Sequence, residues 1–377
     1  MKFRVERDAL ADAVAWAARS LATRPTIPVL AGLLLDVNDS TLSISGFDLE
    51  ASTQVDLEVA AATAGTALVS GRLLADISRS LPPHPVDFAV DGARLTIACG
   101  SARFTLPTMP VEDYPKLPQM PTTAGTVNSA AFATAVAQVA VAAGRDDTLP
   151  MLTGVRLEID GEKLTFAATD KYRLAVRELA WSPSSAGEAS AQVVIPARTL
   201  ADAARSLAQS DELTIALSAS AGAGDGIIGF SGAAGGRASR ATTRLLDPQF
   251  PPYRTLLPTE WSATAEVVVA PFVEAVKRVA LLADRSTPVR LEFAEGGVNL
   301  TAGGDDEGRA EEQLEVVYEG EPITIAFNAT FLLDGLGALD TSSARLLFPS
   351  ANKPTVLRPA ESDEEYYYLI MPMRLPR

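Results

Sequence analysis

Apolar residues at Leu10, Val14, Ala17 and Leu21 fall at i, i+4, i+7 and i+11, one stripe of an α-helix. The same spacing returns at Phe132, Val136, Val139 and Ala143, and again at Phe272, Val276, Val279 and Ala283. Asp8 and Ser129 are the expected N-caps, and Pro271 suits a first helical turn. A second helix is predicted over 70–81, 196–207 and 328–339, where Leu74, Asp76 and Leu81 correspond to Leu200, Asp202 and Leu207, then to Leu332, Asp334 and Leu339. Between these helices run short alternating segments such as "VRLEIDGEKLTFAATD" and "EPITIAF", broken by Gly, Asp and Asn, which read as antiparallel strands. The first two copies hold one register, each position matching another 122 residues on: Leu10 with Phe132, Leu30 with Leu152, Gly32 with Gly154, Asp48 with Asp170. An ungapped register of that length is an internal repeat. The third copy is shorter and lacks the "PVLAG" segment. Proline-rich connectors close the first two copies, so the expectation is three similar α+β domains spanning 1–120, 121–259 and 260–377.

Charge on these helices changes the picture. At 100° per residue Arg72 and Arg79 lie opposite Leu74, Ile77 and Leu81, Arg198 and Arg205 repeat the arrangement, and Arg19 stands opposite Leu10. In the third copy Thr330 and Gly337 replace the arginines, while Lys277 and Arg278 sit off the apolar stripe of its first helix. Periodicity alone leaves two readings open, a repeated basic surface or ordinary solvated faces, because Asp12, Asp76, Glu274 and Asp334 share the same helices. The net charge of −15 argues against general attraction to nucleic acid. No uninterrupted apolar run is long enough to span a membrane, and "MKFRVERDAL" is charged where a signal peptide turns apolar, so a soluble, cytoplasmic protein with no membrane partner is expected.

Candidate chemistry is sparse. The single cysteine, Cys99, excludes an intramolecular disulfide, and with one histidine, His84 in the turn "LPPHPV", no cysteine or histidine metal site can be assembled. "GDGIIG" at 224–229 matches a dinucleotide fingerprint but lacks a following amphipathic helix, and reads as a hairpin loop. Asp146 with Asp147 and Asp305 with Asp306 read as solvated loop tips. No catalytic residue, metal or cofactor is expected. The ending "YYYLIMPMRLPR" is apolar and strand-like, with two methionines and a proline; it suits an adaptable peptide groove, or a last core strand with Leu369 and Met371 inward, and alternation along a strand permits both.

"MKFRVERDAL", "RPTIPVLAGLLL", "ATDKYRLAV", "DPQFPPYRTLLP" and "YLIMPMRL", in this order along essentially the whole chain, resemble the bacterial DNA polymerase III β subunits, the sliding clamps. The resemblance implies three alike domains per chain and a head-to-tail homodimeric ring that encircles duplex DNA and slides without sequence preference. It implies no enzyme, only a processivity factor tethering polymerase III subunits, with other polymerases, ligase and mismatch-repair proteins as further partners and an ATP-using clamp loader to open the ring. To the basic helix residues it adds Arg24 as a DNA contact. It implies a partner-peptide groove of Leu152, Thr169, Tyr172, Arg173, Leu174, Pro251, Leu256, Leu369, Ile370, Met371, Pro372, Met373 and Arg374, anchoring a partner's leucine or phenylalanine. It implies a dimer contact of Phe104 and Leu106 against Leu281 and Leu282, residues that read equally well as core. Departures stand at Lys171 and Tyr172, where a better-known version has glycine and histidine, at Thr255, where it has arginine, and at Pro376-Arg377, which extend past its end. Two rival readings are a monomeric three-domain peptide-binding scaffold and a hydrolase built on the acidic turns.

Overall fold

The computed structural model describes residues 1–22, 25–184, 190–218, 226–283, 287–304, 308–361 and 365–374. Among these, six α-helices form where the apolar stripes place them: α1 (Arg7–Ala17), α2 (Gly71–Ser80), α3 (Ser129–Ala140), α4 (Ala197–Leu207), α5 (Val269–Val279) and α6 (Ala329–Gly337). The first three residues of each predicted stripe are buried, from Leu10, Val14 and Ala17 to Phe272, Val276 and Val279. The fourth lies past the helix end in every copy; after α1 and α5 the chain tightens into 3-10 turns, Ala18–Ser20 and Ala280–Leu282. Arg19 therefore belongs to a turn and not to the first helix.

Two helix starts come earlier than expected. The strand Lys2–Val5 runs directly into α1, so Asp8 lies inside the first turn, where a carboxylate still favours the positive helix end. Asn128, not Ser129, caps α3, its Oδ1 accepting from the Ala131 N–H at 2.9 Å. Ser70 and Asn328 cap α2 and α6 in the same way.

The chain divides into two compact units: Met1–Ala133 with Trp181–Ala189 and Thr199–Leu246, and Thr134–Ala180 with Ser190–Arg198 and Asp247–Arg377. Compactness thus divides the second repeat between both units. The reason is strand pairing between successive repeats. In the first unit a fourteen-stranded sheet sets Ala51–Glu58 beside Arg237–Arg244, with Ser52 opposite Thr242. In the second, a nine-stranded sheet sets Arg173–Ala180 beside Tyr366–Ile370, with Leu174 opposite Leu369, and a four-stranded sheet is formed separately. The predicted loop at 224–229 is partly strand: Ile227–Ala234 pairs with Glu212–Leu217, and residues 219–225 lie outside the described residues.

Backbone detail repeats along with sequence. Asp48 accepts from the N–H groups of Glu50 and Ala51, and Asp170, 122 residues on, accepts from those of Tyr172 and Arg173. Between them Leu49 and Lys171 hold φ of 80° and 82°, the left-handed region that favours glycine. A Lys171→Gly variant is expected to unfold at a temperature equal to or above wild type. Lys171→Val, β-branched in the same conformation, should cost about 1–2 kcal/mol in denaturant unfolding.

Candidate functional site

The expected groove residues all belong to the second unit, and the two faces of the nine-stranded sheet sort them. Directly paired residues point to one side of a sheet and neighbours along a strand to opposite sides. Leu174 and Leu369 share one face with Ala167, Val176, Leu347 and Val356; Tyr253 completes this buried cluster, and Phe250, Leu257 and Tyr367 pack against it. Pro251 and Leu256 flank Tyr253, which opens the 3-10 turn Tyr253–Leu256. Leu256 is 51% exposed, Tyr172 61% and Met371 42%, so these three offer the accessible apolar surface. The Met371 N–H donates to the Tyr172 carbonyl at 2.8 Å, joining them across the strand ends.

Arg173 and Ile370 face the other way. Paired with each other, they lie on the side of the sheet that meets α6, and Arg173 is 5% exposed. Its Nε donates to Asp170 at 2.9 Å, its Nη1 to Asp334 of α6 at 2.5 Å, and its guanidinium lies 4.5 Å from the Phe331 ring centroid. Burial opposes its charge, yet Tyr368, Asp334 and Asp170 outweigh that and hold its pKa above the ordinary range. Arg173 therefore fastens strand to helix instead of lining an open groove. Thr169 is buried as well, its hydroxyl donating to the Arg173 carbonyl at 2.6 Å. Leu152 sits in the 3-10 turn Pro150–Leu152, with its carbonyl accepting from the Gly144 N–H. Pro372 and Met373 are half-buried and Arg374 is exposed. The Met373 N–H donates to the Ala326 carbonyl, so the donors at 371 and 373 are already occupied.

Sequence reading missed the fastening of the 253–256 turn. Glu158 accepts from Arg156 at 2.7 Å and Arg254 at 2.6 Å. Burial raises the Glu158 pKa, but the hydrogen bonds from Arg254 and Arg156 prevail and leave it below the usual glutamate range. Burial pushes the neighbouring Tyr253 phenol up to about 12. The signal was present in "DPQFPPYRTLLP", where aromatic and basic residues alternate with prolines, but their partners lie far away in sequence.

The helix arginines are exposed. Arg72, Arg79, Arg198, Arg205, Lys277 and Arg278 all reach solvent, and an acid one turn earlier pairs with three of them: Asp76 with Arg79, Asp202 with Arg205, Glu274 with Lys277. Arg278 makes a two-pronged contact with Glu312, and Arg19 donates to the Asp202 carbonyl and the Ser206 hydroxyl. Arg24 lies outside the described residues.

Two sheet edges carry the expected dimer residues. The strand Ala102–Met109 pairs along Ala102–Pro107 with Arg94–Cys99 alone, among the described residues. On it Leu106 is buried and Phe104 half-buried, which leaves Leu106 in the core of its own sheet. The strand Gly308–Glu315 is the edge of the four-stranded sheet. Leu281 in the Ala280–Leu282 turn is 82% exposed and Leu282 38%. Asp146 is an exposed turn residue whose carboxylate accepts from the N–H and hydroxyl of Thr148, and those bonds lower its pKa. His84 is exposed and Cys99 buried. Asp305, Asp306 and Pro376-Arg377 lie outside the described residues.

The N-terminal, central and C-terminal domains of the DNA polymerase III beta subunit match residues 1–118, 126–252 and 254–374. The chain belongs to that family. It is 57% identical to the beta sliding clamp of Streptomyces coelicolor and 44% identical to the beta sliding clamp homolog GriR of Streptomyces muensis, each over the full length of both chains. The crystal structure of the Pseudomonas aeruginosa sliding clamp bound to griselimycin is similar at a TM-score of 0.89 and 29% identity. The Bacillus subtilis clamp is similar at 0.88 and 26%, again with complete coverage of both chains. The fold is accordingly the three-domain clamp fold, and the function is that of a non-catalytic processivity subunit on DNA. A hydrolase on the acidic turns and a scaffold without a DNA role are not what this family is. Among the described residues no helix is long and apolar enough to cross a membrane.

Replacing Arg173 by Met should cost about 3 kcal/mol in chemical unfolding, because the largely covered Asp170 and Asp334 carboxylates lose their ion pairs, Asp170 keeping only the Tyr172 and Arg173 N–H donors. Glu158 has a folded pKa below its unfolded one, so its contribution is complete above the ordinary glutamate value of about 4.3 and is lost as pH falls through the folded value. Between about pH 5 and pH 3, the wild-type melting temperature should drop more steeply than that of Glu158→Gln.

Proposed function

We propose that two copies of this chain close head to tail into a ring that holds duplex DNA by topology, with the exposed basic helix residues toward the DNA. The observation that carries this reading is the recurrence of outward-pointing cations on α2 and α4, with Lys277 and Arg278 on α5, in a chain of net charge −15. Each of Arg79, Arg205 and Lys277 is already matched by a carboxylate, and exposed pairs of this kind are worth at most about 1 kcal/mol. Such a surface softens repulsion of phosphate without gripping it, which suits sliding. Arg24 adds to it on the strength of the family resemblance alone.

Ring closure is assigned to the two unfilled edges. Strand 102–109 bears Phe104, with Arg103 exposed beside it; strand 308–315 bears Glu311 and Glu315 and packs in space against the turn that carries the exposed Leu281 and Leu282. An open strand edge invites pairing with another chain, and a heterologous contact that closes yields a ring. Leu174, Leu369, Leu256, Tyr172 and Met371 form the partner-peptide groove, with Thr169 buried on the same face beside Leu174, while Arg173 and Ile370 act behind it as support. Domain boundaries near 120 and 259 fit this reading, each domain supplying two helices to the inner surface. The work is placed in the cytoplasm, with polymerase III subunits, other polymerases, ligase, mismatch-repair proteins and the loader as partners, and with no cofactor or metal.

The test is retention on nicked circular DNA after incubation with a matched loader and ATP, repeated after the circle is cut. Retention on the circle and loss from the linear form is the expected outcome; equal retention on both would sink the topological reading. Leu281→Asp with Leu282→Asp should abolish retention and sediment as a monomer.

A further inference from the structure

The groove face of the nine-stranded sheet does not stop at the groove. Register carries Leu174 and Leu369 across to Val356, Leu347, Thr264 and Glu319, each directly paired with the next. One row over on the same face stand Arg358, Arg345, Glu266 and Val317, again paired in order. Leu347 belongs both to the buried groove cluster and to the wall of a hollow of about 320 Å³ that Trp261, Val317, Arg345 and Arg358 also line. Trp261 is 44% and Val317 67% exposed, an apolar pair at the far rim.

The two cations in this hollow differ. Arg345 is paired with Glu266 at 3.1 Å. Arg358 has no carboxylate within ion-pair distance among the described residues; its guanidinium lies 5.9 Å from the ring centroid of Tyr367, which itself packs on the groove cluster. A half-buried guanidinium held over an aromatic face, with no ion pair of its own among the described residues while Glu266 in the same hollow is taken by Arg345, is poised for an incoming carboxylate, which would lie on the Arg358 side and away from Glu319.

Resting on the groove reading, we propose that this hollow is a second subsite for the same partner segment. It takes an acidic residue at Arg358 and an apolar residue at Trp261 and Val317, both flanking the hydrophobic anchor. Strands are spaced about 4.8 Å apart and an extended peptide advances about 3.3 Å per residue. Arg358 is one strand from Leu369 and Val317 four, which places the acidic residue about two positions from the anchor and the apolar one about five or six.

The experiment is fluorescence anisotropy with labelled synthetic peptides on the full chain. One is an anchor-only hexapeptide with leucine and phenylalanine as its large apolar residues. The others extend it by six residues, on either end, with Glu second and Leu fifth, or with Lys and Ser at those places. One Glu/Leu extension should bind about tenfold tighter than the anchor alone, and the Lys/Ser extension should not. That gain should vanish in both Arg358→Gln and Trp261→Ala while anchor-only binding holds. Equal affinity of extended and anchor-only peptides, or a gain that survives both variants, overturns the second subsite and leaves the groove intact. Failure of the anchor-only peptide to bind, or binding indifferent to Leu256→Asp, overturns the groove itself and the subsite with it.

Discussion

The structure depends on backbone pairing between strands of successive repeats. The Met371 N–H bonds to the Tyr172 carbonyl, and 122 residues before Tyr172 the Glu50 carbonyl receives the Arg244 N–H in the same way. Each junction extends an antiparallel ladder, so the hydrogen-bond demand of an edge strand in one repeat is met by the next. The Asx turns at Asp48 and Asp170 and the left-handed residues after them set where each ladder begins. Because these turns repeat, the register of the junctions repeats.

The two junctions share a backbone and differ in side chains, and that difference is why the proposed groove is assigned to one of them. At the first, Ser52 faces Thr242 and their hydroxyls bond at 2.7 Å, a pair that satisfies itself and offers nothing apolar. At the second the equivalent pair is Leu174 and Leu369, roofed by Tyr253 and bordered by the exposed Leu256, Tyr172 and Met371. Anchoring of a leucine or phenylalanine requires apolar area to bury, roughly 25 cal/mol per Å², and at the second junction the paired residues themselves supply it. Arg173 reinforces the same junction from behind. Its counterpart is Ala51, and Asp334, which receives it, stands where Asp76 and Asp202 instead pair with arginines of their own helices. With Gly337 in place of that arginine, the α6 carboxylate is free to reach across to the strand.

Local periodicity made much of this legible. Helix stripes, the ungapped repeat and the basic outer faces follow from spacings within one element, where 3.6-residue geometry leaves little choice. What stayed hidden depends on partners remote in sequence. Leu174 and Leu369 both read as apolar, but nothing in either segment says that they face one another. Arg173 was grouped with the groove because resemblance transfers a residue's identity and not the direction of its side chain; the strand alternation that turns it toward Phe331 emerges only with the register. Asn128 took the cap from Ser129 because both are competent and the preceding strand decides which is still extended.

A topological clamp also relaxes the demand on electrostatics. A protein that binds DNA by affinity must release counterions by neutralising many phosphates, and its hold weakens steeply with salt. A closed ring needs a barrier to opening, not a deep well for phosphate, and the helix surface can carry an acid beside several of its cations. The pairs Asp76–Arg79, Asp202–Arg205 and Glu274–Lys277 each span three residues on one helix, with the acid N-terminal, the order that also favours the helix dipole. Arg72 and Arg198 open their helices without such an acid, so the surface is uneven: the cations that lack one stand where α2 and α4 begin, and the acid-matched ones in the last turns. A net charge of −15 is therefore compatible with the proposed ring around DNA, and it disfavours binding of nucleic acid by affinity alone.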